Sequence, residues 1–155
     1  MKKIKDHYFY KAKSDGYVAR SIYKLEEIDK KHKLICDGNL VIDFGCSPGS
    51  WLQYTCRKVG KKGFVLGVDI KPVNISLPKN AKFLKLDIFE ANMINLEMNG
   101  NTVDVILSDM APKTTGIRSV DSQRSLDLNQ CVLKIVLTMG STMQIAPPNR
   151  SLRLI

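Results

Sequence analysis

The chain has 155 residues, within the span of about 100–200 residues usual for one domain, so residues 1–155 are expected to form one domain whose core needs no disulfide staples. With 44% apolar and 25% charged residues, its composition excludes wholesale disorder, and no apolar run reaches the ~18–20 residues that span a bilayer. Lys plus Arg number 24 against 15 Asp plus Glu, a net charge of +9, which points to a polyanionic partner, nucleic acid above all, rather than to a membrane surface.

The basic excess is uneven. Residues 1–33 carry ten Lys/Arg against five acids, and residues 57–85 carry eight against one. A solvated lysine-rich face is the competing reading. The N-terminal lysines are not followed by the apolar stretch of a secretory signal. A cytoplasmic protein is therefore expected, or one of the nucleus, nucleolus or mitochondrial matrix if the source is eukaryotic.

Residues 19–33 (ARSIYKLEEIDKKHK) place Ile22, Leu25 and Ile28 at helical spacing with charges between, which predicts an amphipathic helix. Asp37-Gly38-Asn39 then breaks it. Leu40 to Phe44 is a short apolar run, as expected of a buried parallel strand. A GCSPGS loop follows, then a helix WLQYTCRKV that Gly60 ends as its cap. Further strands are predicted at 64–70, 83–86 and 103–108, and a long helix over 121–139. Strands alternating with helices predict an α/β fold, a mostly parallel sheet with helices on both faces. Within it, residues 1–33 form a basic helical segment, 40–139 the core and 140–155 a divergent tail.

Val41 to Trp51 reads as a strand, a Gly-rich turn and a helix start. Gly45 and Gly49 let a ligand approach the backbone where no Cβ intervenes. Asp69 ends the next strand, 20 residues beyond Gly49, where a carboxylate can accept from ribose hydroxyls. Asp87 ends the third strand, within reach of an adenine amino group. The loop is neither G-x-G-x-x-G nor a GK[ST] phosphate loop, so a pyrophosphate-bearing dinucleotide is disfavoured. An adenosine ligand without phosphates fits better, S-adenosylmethionine being the common one. A tight turn with no ligand is the plain alternative. The cysteines at 36, 46, 56 and 131 form no CxxC and have no histidine at metal-ligand spacing, so no metal site is expected.

The motifs DFGCSPGSW, GVDI, LKLDI and LSDMAP, in this order, resemble the FtsJ-like, RlmE-type ribosomal RNA 2′-O-methyltransferases. Ala19-Arg20-Ser21 with Tyr23-Lys24-Leu25 resembles the same family, and the similarity covers about residues 8–139. The resemblance implies a Rossmann-like S-adenosylmethionine-dependent methyltransferase fold. It implies a cofactor site built from Asp43, Gly45, Ser47, Pro48, Gly49, Trp51, Asp69, Asp87 and Asp109. It also implies a catalytic role for Lys24 and Asp109, two members of the family's Lys-Asp-Lys set. The implied substrate is RNA, ribosomal RNA or the large ribosomal subunit, met by a monomeric enzyme. Ser108-Asp109-Met110-Ala111-Pro112 lacks the aromatic that amino-directed methyltransferases present there, which tilts the acceptor towards oxygen.

The resemblance stops near Met139. The tail 140–155 shows no counterpart of the strand bearing the second lysine, and Pro147-Pro148 argues against a central strand there. The family's C-terminal strands are therefore expected to be missing. The alternative to an RNA 2′-O-ribose methyltransferase is thus a catalytically impaired module that binds S-adenosylmethionine and RNA. A nicotinamide-dependent oxidoreductase is a weaker third reading, since the pyrophosphate fingerprint is absent.

Overall fold

The computed structural model describes residues 2–90, 102–110, 115–141 and 153–154. In chain order the elements are helices α1 (Lys2–Ser14) and α2 (Ile22–His32), strand β1 (Leu40–Phe44), helix α3 (Ser50–Val59), strands β2 (Phe64–Asp69) and β3 (Ala81–Lys85), a 3-10 turn at Ile88–Glu90, strand β4 (Val105–Ser108), helix α4 (Arg118–Ser141) and strand β5 (Arg153–Leu154).

The sheet runs β3-β2-β1-β4-β5, and every pairing is parallel. Alternate strand residues face opposite ways, and this sorts the core into two layers. Val41, Val65, Val105 and Leu107 pack with Ile22, Leu25, Trp51 and Leu52 of α2 and α3. Ile42, Phe44, Leu66, Val68 and Ile106 pack with Val132 and Ile135 of α4. Helices thus cover both faces, which explains why β1 and β2 read as nearly unbroken apolar runs.

From β1 the chain moves outward to β2 and β3, then returns to the other side of β1 for β4. The sheet order reverses between β1 and β4. In parallel open sheets the crevice beyond the carboxyl ends at such a reversal is where ligands bind.

Four expectations change. Helix α1 has no counterpart in the periodicity reading, because Ala12 is its only buried side chain among those described. Strand β3 lies two residues earlier at its start than expected and ends at Lys85. Helix α4 starts at Arg118, where Asp121 accepts hydrogen bonds from the Thr115 and Gly116 backbone N–H groups and the Thr115 hydroxyl. The tail is not free of strand, since Arg153 and Leu154 pair in parallel with Val105 and Ile106. Proline removes a ladder donor only at its own position, and these two residues lie beyond Pro148. Residues 142–152, including Pro147-Pro148, lie outside the described residues.

One buried polar network fixes the N-terminal segment on the core. Asp29 accepts from the Leu34 and Ile35 N–H groups at 3.0 and 2.9 Å and from the Tyr54 hydroxyl at 2.7 Å, with the Lys58 ammonium at 3.1 Å. Burial by itself would push this carboxyl up, but these donors outweigh it and hold the group below its ordinary value.

Candidate active site

Gly45 follows β1 with φ +76°, and a Cβ built there would lie 2.7 Å from the Met110 side chain. The turn therefore requires glycine both for its left-handed backbone and for the close approach of the segment after β4. Its N–H donates to the Val68 carbonyl at 2.9 Å, tying the loop to β2. Gly49, at φ +115°, starts α3.

Asp69 at the end of β2 is held from both oxygens. Oδ2 accepts the Ser47 N–H at 2.9 Å and Oδ1 the Lys71 N–H at 2.8 Å. The carboxylate is thereby oriented from both oxygens. Asp87 accepts the Phe89 N–H at 3.1 Å, which closes a turn beyond β3. Asp109, after β4, forms an ion pair with Lys24 of α2 at 2.5 Å. Residues 85 positions apart are thus joined at the crevice.

These elements surround a cleft of about 870 Å³. Gly45, Ser47, Pro48, Asp69, Asp87 and Asp109 line it. Three of the residues expected at the site stand behind that wall. Gly49 shapes the loop. Trp51 is buried in the core, and its indole N–H donates to the Ser21 carbonyl at 2.9 Å. Its ring also carries the Lys24 ammonium 5.8 Å from its centre, so Trp51 seats the helix that bears Lys24. Asp43 is buried in β1 with Oδ2 lacking a partner among the described residues. Burial, then the nearby Asp69 and Asp109 charges, push its carboxyl well above the ordinary range. Burial likewise raises the Cys46 thiol, which argues against a thiolate there.

Periodicity and motifs missed the far wall. Arg124, Asp127 and Leu128 of α4 line the cleft, as do Ile70, Phe89 and Met110. Positions 124, 127 and 128 share a helix face, so their spacing was a usable signal once α4 was placed over the crevice.

The charge of the cleft is the fit test for a ligand. Asp69, Asp87, Asp109 and Asp127 line it with Lys71 and Arg124, and Asp109 is further paired with the Lys24 ammonium, which leaves the carboxylates in excess. A chain of net charge +9 has therefore built a locally acidic cleft. Such a lining repels a pyrophosphate and suits a nucleoside with cationic groups, as S-adenosylmethionine carries on its sulfonium and ammonium. A parallel sheet with this crevice, a glycine turn, a carboxylate at the end of β2 and an acidic wall fit the Rossmann-like methyltransferase class.

Comparison with known proteins bears on which branch of that class this is. The family model of the FtsJ-like methyltransferases matches residues 17–145. The chain belongs to the FtsJ-like methyltransferase family, whose members use S-adenosylmethionine as methyl donor. It is 48% identical over 134 residues to ribosomal RNA large subunit methyltransferase E of Bdellovibrio bacteriovorus, covering 84% of this chain and 68% of that one. The protein of the same name from Desulfatibacillum aliphaticivorans is 44% identical, covering 87% and 65%. The chain thus spans about two thirds of the length of such relatives. Among solved structures, a ribosomal RNA methyltransferase from Plasmodium falciparum superposes with a TM-score of 0.67 at 27% identity, over 83% of this chain and 74% of that one.

Proposed function

We propose that this chain transfers the methyl group of S-adenosylmethionine to a ribose 2′-oxygen of RNA, with ribosomal RNA of the large subunit as the acceptor. The relatives' names support the RNA; the Lys24–Asp109 pair beside the cleft carries the reading of the chemistry. In this reading the protein works as a monomer in the compartment where ribosomes are made. Among the described residues no helix is long and apolar enough to cross a membrane.

Bound in the cleft, S-adenosylmethionine supplies an already activated methyl group. The chain's own residues must hold and align the reactants. Asp69, oriented by the Ser47 and Lys71 N–H groups, would accept from the ribose hydroxyls of the cofactor, and Asp87 would hold its base. Gly45, on the cleft wall, would keep a side chain out of its path, and Gly49 shapes the loop behind it. A ribose 2′-hydroxyl is a weak nucleophile, so its oxygen must be stabilised as the proton leaves. Lys24 provides a cation beside that oxygen, and Asp109 fixes where the cation stands.

Methyl transfer from labelled S-adenosylmethionine to an RNA fragment tests the proposal. The expected label is on RNA and absent from a substrate whose target ribose is 2′-deoxy. Cofactor and RNA binding without transfer would favour the binding-module reading. Label on a base of the 2′-deoxy substrate would overturn the ribose assignment.

A further inference from the structure

A second hollow, of about 400 Å³, lies between α1 and the segment that follows it, with Phe9, Lys13, Tyr17, Val18 and Asn74 in its wall. Its chemistry is opposite to that of the cofactor cleft. None of its lining residues is acidic, and it offers two aromatic rings, an amide and an ammonium. Phe9 is 56% and Tyr10 68% exposed, unusual for rings on a helix with no described partner beyond each other. The nearest carboxylate in sequence, Asp15, is engaged by the Tyr23 hydroxyl at 2.8 Å. Arg57 adds a guanidinium 4.7 Å from the centre of the Tyr17 ring.

The hollow is held in shape from the core side. The Val18 N–H donates to the Gln53 side chain at 3.0 Å, and that amide donates back to the Gly16 carbonyl at 3.0 Å. Asn74 donates its N–H to the Pro48 carbonyl at 2.8 Å, and Pro48 lines the cofactor cleft. One wall of the hollow thus hangs from the loop that bounds the cleft.

We propose that this hollow receives a nucleotide of the RNA strand flanking the target ribose. The base stacks on Phe9, Lys13 meets the adjoining phosphate, and Asn74 can pair with a base edge. Rings stack on any base, while a cation beside them selects the polyanion over an apolar peptide. The proposal rests on the RNA reading above and adds to it where a flanking part of the substrate is gripped.

The test uses the full chain and a fluorescent single-stranded oligoribonucleotide about a dozen residues long. Anisotropy reads RNA affinity over a salt series, and calorimetry with S-adenosylmethionine checks that each variant is folded. Phe9→Ala should weaken RNA binding roughly 5- to 150-fold with the salt slope unchanged. Phe9→Trp should retain affinity. Lys13→Ala should lower the log–log salt slope by about 0.7, one phosphate contact on a single strand. Cofactor affinity should be unchanged in all three. Phe9→Ala with wild-type RNA affinity would overturn the hollow as a nucleotide site and leave the RNA reading intact. Failure of the wild-type chain to bind RNA would overturn both.

Discussion

Replacing Lys24 by methionine separates a structural ion pair from a chemical one. The Lys24 and Asp109 side chains are 58% and 38% exposed, so water screens their attraction despite the short contact. Exposed pairs of this kind contribute about 0.2–1 kcal/mol to stability. The cation over the Trp51 ring, 5.8 Å away, adds about 0.5 kcal/mol at an exposed site. Methionine keeps most of the apolar stem, so the expected loss is on the order of 1 kcal/mol. For a protein of this size that is a fall in Tm of roughly 2–4 °C. Removing a group that stabilises a developing oxyanion costs about 10²–10³ in rate. The two readouts therefore differ by more than their errors. Lys24→Met should melt within a few degrees of wild type, bind S-adenosylmethionine normally, and lose about 10²–10³ in single-turnover methyl transfer. Asp109→Asn should lose transfer too, and the double variant should be little worse than Lys24→Met, since both act through one ammonium. A variant that keeps transfer within threefold would refute the chemical role. A Tm loss above about 10 °C with transfer spared would make the pair structural.

Asp69→Ala should weaken S-adenosylmethionine binding by roughly 10- to 150-fold in calorimetry, the equivalent of about 1.5–3 kcal/mol for charge-assisted hydrogen bonds; unchanged affinity in a folded variant would remove Asp69 from the site. Gly45→Ala places a Cβ 2.7 Å from the Met110 side chain on a backbone at φ +76°, so it should lower stability by about 1–2 kcal/mol and weaken cofactor binding, read by urea titration and calorimetry. Asp43 should make stability depend on pH. Its folded carboxyl holds its proton to higher pH than the unfolded one, so its contribution is most favourable below the ordinary carboxylate value and declines as pH rises towards the folded value. Asp43→Asn should flatten that decline in urea midpoints measured from pH 4 to pH 8, and parallel wild-type and variant profiles would contradict the burial argument.

The strand-turn-helix frame of the cleft was legible because its signals are local. Strand, glycine turn and helix are contiguous from Val41 to Trp51, Asp69 ends β2, and Asp87 stands two residues beyond β3, in the turn after it. Strands β1 and β2 were visible because burial on both faces makes them almost wholly apolar, Asp43 being the one buried polar residue in β1. The role of Trp51 was not, since a motif shows which residue stands at a position but not which way it turns. Here it faces α2 and anchors Ser21. Arg124 and Asp127 escaped because the packing of α4 over the crevice is a tertiary fact. Helix α1 falls in the basic helical segment expected over 1–33, but its bounds could not be read from periodicity, because Ala12 is the only buried side chain among those described. Lys24 would have passed for a solvated helix lysine. Only the family resemblance singled it out, and the structure brings it to Asp109.

The most direct test is transfer of labelled methyl from S-adenosylmethionine by this chain to two oligonucleotides that differ in one atom, the 2′-oxygen at the target ribose. The account predicts label on the ribose of the first and none on the second. Equal labelling of both, or none on either with the cofactor bound, would contradict it.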